Sequence, residues 1–263
     1  MTKVRVEREG GVVSLVMDDR PRPSMIDVET CHELNAALQE IATRGSDKVI
    51  ILRSEGQVFS AGGNLAYIEA TLSEPDRRLG PLIDIFHGTI LALRAAPQPV
   101  VASIRGAVAA AGFSLAMACD LVVASNSARF VVGYPKIGAP CDGGLSFHLT
   151  RRLGRQRSTN LFLLVDSLSA EDARGLGLVD RLVADEALAD ETARVAATLL
   201  AHPLQAVREI KALLGTVADS GLESHLSLEK HAFLRCAATE DFAERVRAFN
   251  APRTGANAKV SGL

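Results

Sequence analysis

Little in this sequence favours charge of one sign: Lys and Arg total 29 against 31 for Asp and Glu, a formal net charge of -2. That balance excludes a net pull toward nucleic acid or acidic membranes, so an anionic ligand has to be met by local charge. Cysteine is scarce and scattered. Cys31, Cys119, Cys141 and Cys236 form no CxxC pair and have no histidine nearby at metal-ligand spacing, which argues for a reducing compartment and against a bound metal. Long hydrophobic runs are also missing, because Arg, Ser, Asp or Pro breaks every apolar stretch well short of the roughly 20 residues of a membrane span. The opening MTKVRVEREGGVVSLVMDD alternates charged and apolar residues, unlike the basic-then-apolar pattern of an export signal. The expectation is a soluble cytoplasmic protein.

What is present is a chain of 263 residues, 48% hydrophobic, ample for one compact domain and a smaller appendage. Val4 to Arg8 and Val12 to Met17 read as two strands around Gly10-Gly11. From Asp27 the period changes: Val28, Cys31, Leu34, Leu38 and Ile41 recur at three-to-four spacing, with Asp27 as cap and Gly45 beyond the end, which predicts an amphipathic helix. A strand over Val49 to Leu52 follows. Pro81 to Arg94 is helical in period until Pro97 and Pro99, and Val100 to Ile104 is a buried strand. Ala109 to Ala118 reads as a small-residue helix, Leu121 to Ala124 and Phe130 to Val132 as short strands, and Gly143 to Arg152 as the start of another helix. Such alternation implies the α/β class. Beyond about residue 185 strand signals vanish, and Leu188 to Leu200, Leu204 to Leu214, Leu222 to Cys236 and Glu240 to Phe249 are all helical in period. Ala251 to Leu263, with little apolar content, reads as a mobile tail.

Two stretches place small residues between a strand and a helix: Phe59-Ser60-Ala61-Gly62-Gly63-Asn64-Leu65 and Gly106 to Ser114. Either can serve tight packing alone, or leave backbone amides pointing outward as donors to an anionic oxygen.

The segments FSAGGNL, VVASIRGAVAAAGFSLAMACDLVVAS, KIGAPCDGG and SAEDARGLGLVDRLV, in that order and spacing, closely resemble the crotonase, or enoyl-CoA hydratase/isomerase, superfamily over nearly the whole chain. The resemblance implies a crotonase-like spiral of ββα units over 1–195 that holds the active site, and a helical C-terminal oligomerisation region over 196–263. It implies a homotrimer or dimer of trimers acting in fatty acid metabolism on an acyl-CoA. Coenzyme A would come as part of the substrate, with no other cofactor. It further implies an oxyanion hole from the backbone N–H groups of Gly63 and Ala111, with Gly62 and Gly112 shaping the turns. Ala111 stands where the family usually has glycine, and it can supply its N–H if its φ is negative. Ala61, Gly62, Gly112, Phe249 and Arg253 are the corresponding substrate or CoA contacts, Arg253 substituting for a lysine whose position is taken by Pro252.

The two glutamates of the hydratase pattern fall at Ser114 and Tyr134, neither a carboxylate base. Asp142, eight positions after Tyr134, matches the aspartate that some enoyl- and dienoyl-CoA isomerases use. A single carboxylate can take a proton alpha to a thioester and return it at the gamma carbon, so the expected activity is double-bond isomerisation. The alternatives are a hydratase (lyase) with a non-standard site and an acyl-CoA-binding protein without turnover. Asp142 also reads as the N-cap of the following helix, two readings that conflict because helix amides depress a carboxylate pKa. Tyr134 reads equally as a donor to substrate and as a pocket wall. Ser114 sits one glycine short of a G-x-S-x-G elbow, but it needs a base, and His87 and His148 are the histidines of the middle of the chain. A lone helix histidine such as His87 reads as solvated, as does Lys136. The base position of the related dehalogenases falls at Leu91, against dehalogenation.

Overall fold

The computed structural model describes residues 2–251. The reading of the tail from Pro252 onward, and of Arg253 as a CoA contact, lies outside the described residues. Two compact units divide after Ala201. The expected boundary at 195/196 would cut a helix that the first unit needs.

In the first unit, β1 (Val4–Glu9) and β2 (Val12–Met17) form the expected hairpin, and α1 (Val28–Thr43) starts at Asp27, whose carboxylate accepts the Thr30 amide. Then come β3 (Val49–Ser54), the short helices α2 (Leu65–Thr71) and α3 (Pro75–Arg78), α4 (Gly80–Ala95), β4 (Val100–Ile104), β5 (Ala107–Ala109) and α5 (Ala111–Ala118). These are followed by β6 (Leu121–Ser125), β7 (Arg129–Val131), α6 (Leu145–Leu164), β8 (Leu168–Ser169), α7 (Ala170–Gly175), β9 (Arg181–Val183) and α8 (Leu188–Leu200). One sheet has the order β1-β2-β3-β4-β6-β9, antiparallel only at β1-β2. A smaller one, β5-β7-β8, lies beside it. Parallel neighbours need crossovers, which is what α1, α4 and α5 supply.

The near-continuous apolar strands are explained by burial on both faces. Ile50, Leu52, Val100, Ala102, Ile104, Val122 and Ala124 point into the main core with Phe113 and Phe130. Their alternates Val49, Ile51, Val101 and Val123 meet Leu188 and Ala196 of α8. Helix α8 thus closes the second face of the sheet, and this is why the first unit extends to Ala201.

One helix expectation is corrected: Ala107, Val108 and Ala109 are extended and pair in parallel with Arg129, Phe130 and Val131, so the helix begins only at Ala111. A run of small residues carries no period that separates the two states; the pairing with β7 decides. Among the described residues no helix is long and apolar enough to cross a membrane.

The second unit contains α9 (Leu204–Thr216), α10 (Leu222–Ala237) and α11 (Glu240–Asn250). Arg235 clamps Glu209 with two hydrogen bonds of 2.8 and 2.6 Å, and the rings of Phe233 and Phe242 meet edge to face at 5.7 Å. Ile210, Leu214, Leu222, Phe233, Leu234 and Phe249 remain exposed on it.

Candidate active site

The two small-residue turns lie side by side in the first unit. Ser60 bridges to Val108: its amide donates to the Ala107 carbonyl at 3.1 Å, and the Ala109 amide donates to the Ser60 carbonyl at 3.0 Å. One turn of chain later Gly112 faces Ser60 so closely that a Cβ would stand 2.5 Å from the serine Cβ. Only glycine permits that approach. The amides around the turns are used inside the fold: Ala61 donates to Ser24, Gly62 to Ser60 Oγ, and Ala110 to Val131. Among the described residues the amides of Gly63 and Ala111 have no acceptor. The Ala111 amide belongs to the first turn of α5, whose N–H groups have no partner within the helix.

The alanine in place of glycine resolves in an informative way. The positive φ falls on Ala110, at φ 45° and ψ -113°, whereas Ala111 is already helical. Holding a non-glycine residue there costs about 1–3 kcal/mol.

Asp142 is not the cap of α6. That helix starts at Leu145 behind Gly144, which lies in the left-handed region with no side-chain cap. Asp142 Oδ1 instead accepts the amide of Gly143 at 2.5 Å and meets His87 Nε2 of α4 at 2.5 Å. Its main chain is held from α5: Ser114 Oγ donates to the Asp142 carbonyl at 2.7 Å, and Tyr134 Oη lies 3.4 Å from that carbonyl and 3.3 Å from Ser114 Oγ. Ser114 comes one helical turn after Ala111, about 4.5 Å along the axis. The free amide and the Asp142 loop are therefore anchored on the same short helix.

These contacts decide what the side chains can do. Burial pushes the Tyr134 phenol well above its ordinary pKa, so it stays protonated and acts as a donor. Ser114 is fully buried with its hydrogen directed at a carbonyl, and neither His87 nor His148 hydrogen-bonds it, so nothing prepares it as a nucleophile. Burial, with Arg94 and Arg152 nearby, pushes His148 down to about 4 and keeps it neutral. Lys136 pairs with Asp166 at the surface.

Ser114, Tyr134, Asp142, Gly62, Gly63, Ala111 and Gly112 thus come together in the first unit. Ala61 is exposed beside them, and Phe249 is exposed on α11 of the second unit. His87, read from the sequence as a solvated helix histidine, is the residue whose partner sequence reasoning missed. It reaches Asp142 across 55 residues of chain, and no local pattern marks it.

Comparison with known proteins points to one family. The sequence model described as enoyl-CoA hydratase/isomerase matches residues 7–255. The 1,2-epoxyphenylacetyl-CoA isomerase of Escherichia coli is 30% identical over 247 residues, 94% of each chain. The trans-2-decenoyl-[acyl-carrier-protein] isomerase of Streptococcus mutans is 29% identical over 93% of this chain and 94% of its own. A crystal structure of an enoyl-CoA hydratase from Polaromonas sp. JS666 superposes with a TM-score of 0.90 at 31% identity, covering 94% of this chain and 96% of the other.

Proposed function

From a chain that belongs to the enoyl-CoA hydratase/isomerase family, with the crotonase fold, we propose an isomerase that shifts a double bond in an enoyl-CoA. One observation carries this reading: the residues gathered around the Asp142 loop offer a single carboxylate, with a protonated phenol and a buried hydroxyl tied to its main chain. Hydration draws on groups that hold water and move two protons, whereas isomerisation needs one base that takes a proton and gives it back.

In the proposed reaction the thioester oxygen accepts the amides of Gly63 and Ala111. Asp142 removes a proton from the alpha carbon, and the electrons of that C–H bond pass into a dienolate whose charge rests on the oxygen. The two amides stabilise that charge, an effect worth about a hundred- to a thousandfold for a single donor. Asp142 then returns the proton at the gamma carbon, leaving the double bond conjugated with the carbonyl. Coenzyme A enters as part of the substrate, with Ala61, Gly62 and Gly112 as its contacts in the first unit, and the working form is a homotrimer or dimer of trimers in the cytoplasm.

The test is to incubate the wild-type protein and Asp142→Asn with a 3-enoyl-CoA in deuterated water and follow the ester by mass spectrometry. The expected outcome is a conjugated 2-enoyl-CoA from the wild type and a loss of about a hundred- to ten-thousandfold in the variant. A hydrated product would replace this reading with the hydratase one, which the name of the Polaromonas protein favours. Bound but unchanged ester would leave a binding protein.

A further inference from the structure

The two oxygens of Asp142 are not equivalent. Oδ1 receives the Gly143 amide and His87 Nε2, both at 2.5 Å, while Oδ2 has no partner among the described residues. The two donors approach from different elements, one from the loop itself and one from α4. Together they fix the plane of the carboxyl group and prevent its two oxygens from exchanging places.

Helix α4 is itself firmly held. Phe86, one residue before His87, is buried against Gly143, and Asn35 of α1 donates to the Ile85 carbonyl at 3.3 Å. The His87 ring extends from this seat with its side chain 49% exposed, against 28% for Asp142, so the imidazole approaches from the solvent side. Because a carboxylate oxygen accepts, the hydrogen of this short contact is the one on Nε2 of His87.

We infer that His87 is a positioning residue for Asp142: by holding Oδ1 it leaves Oδ2 as the one atom that takes the proton from the substrate and returns it. The inference rests on the isomerase reading above. One consequence distinguishes it from a merely structural role. A proton carried by a single fixed oxygen stays with the substrate, whereas a carboxyl group free to rotate passes it from either oxygen to water.

The experiment uses a 3-enoyl-CoA deuterated at C2 in ordinary water. The wild type is expected to transfer deuterium to C4 of the 2-enoyl product: Oδ2 takes a deuteron from C2, the dienolate forms, and the same O–D bond breaks as the new bond at C4 forms. His87→Leu should lower kcat by about ten- to a hundredfold with a smaller change in KM, and should lose most of the label to water. His87→Gln, whose amide can donate to Oδ1, should recover part of both. A Leu variant with the kcat and label transfer of the wild type overturns the inference, as does a wild type that shifts the bond but transfers no label. A wild type that leaves the ester unshifted overturns the isomerase reading instead. Nitrogen NMR of His87 then tests the pair alone. A hydrogen on Nε2 whose resonance moves in Asp142→Asn supports it, and an Nε2 that carries no hydrogen refutes it, whether or not the Leu variant folds.

Discussion

A methyl group at Gly143 would stand 2.3 Å from Phe86 Cε1 and 2.9 Å from Ser114 Cβ, on a residue whose φ is +60°. Gly143→Ala is therefore expected to destabilise the protein by about 2 kcal/mol or more and to displace the Asp142 loop, measured by denaturant unfolding and by turnover of the 3-enoyl-CoA. The opposite effect is expected at Ala110. Glycine adopts its φ of 45° without steric cost, so Ala110→Gly should gain up to about 1 kcal/mol unless the added freedom of the unfolded chain offsets it. His148 supplies a pH dependence. Its pKa is about 4 in the fold against 6.5 for the free group, so between these values the unfolded chain binds more protons. Stability is then complete above about pH 6.5 and is lost as the pH falls toward 4, by on the order of 3 kcal/mol at most. Thermal melts from pH 7 to 4 should show the loss, and His148→Gln, which cannot charge, should flatten it. At this scale the sequence made Asp142 legible, because the acid stands directly before two glycines in a recognisable segment. It could not mark His87, whose role exists only once α4 is packed beside the loop.

Elements were legible where a period runs for several turns or a strand is rich in β-branched residues. Helices α1, α4, α8 and α10 and strands β2, β3 and β4 follow from apolar spacing, with Asp27 capping α1 as its position suggests. The short pieces α2, α3, β8 and β9 carry too few residues to express a period, and Ala107–Ala109 is set by its partner strand. Helix α5 is buried along its whole length, so it has no polar face to reveal its orientation. Its serine and the phenol of Tyr134 converge on one carbonyl. Ser114→Ala should cost about 1 kcal/mol, and a double-mutant cycle with Tyr134→Phe should show coupling of at least about 0.5 kcal/mol, because either hydroxyl can partly satisfy that carbonyl. Strict additivity in unfolding measurements would show that the two act separately.

For the whole molecule, composition and alternation were enough to indicate an α/β core followed by helices. The position of the division was not, because α8 has the period of a C-terminal helix but packs on the sheet of the first unit. The second unit leaves Leu214, Leu222, Phe233 and Phe249 exposed, an apolar surface of the kind that self-association covers. Sedimentation at working concentration is expected to show trimers or their dimers, and Leu214→Asp with Leu222→Asp should shift the distribution toward smaller species. A stable wild-type monomer would defeat the assignment. The division of the chain has an evolutionary side as well. Every group that the proposed reaction uses, from Gly63 to Asp142, precedes Ala201. Substitutions can then accumulate in the last helices without replacing any group that the proposed reaction uses.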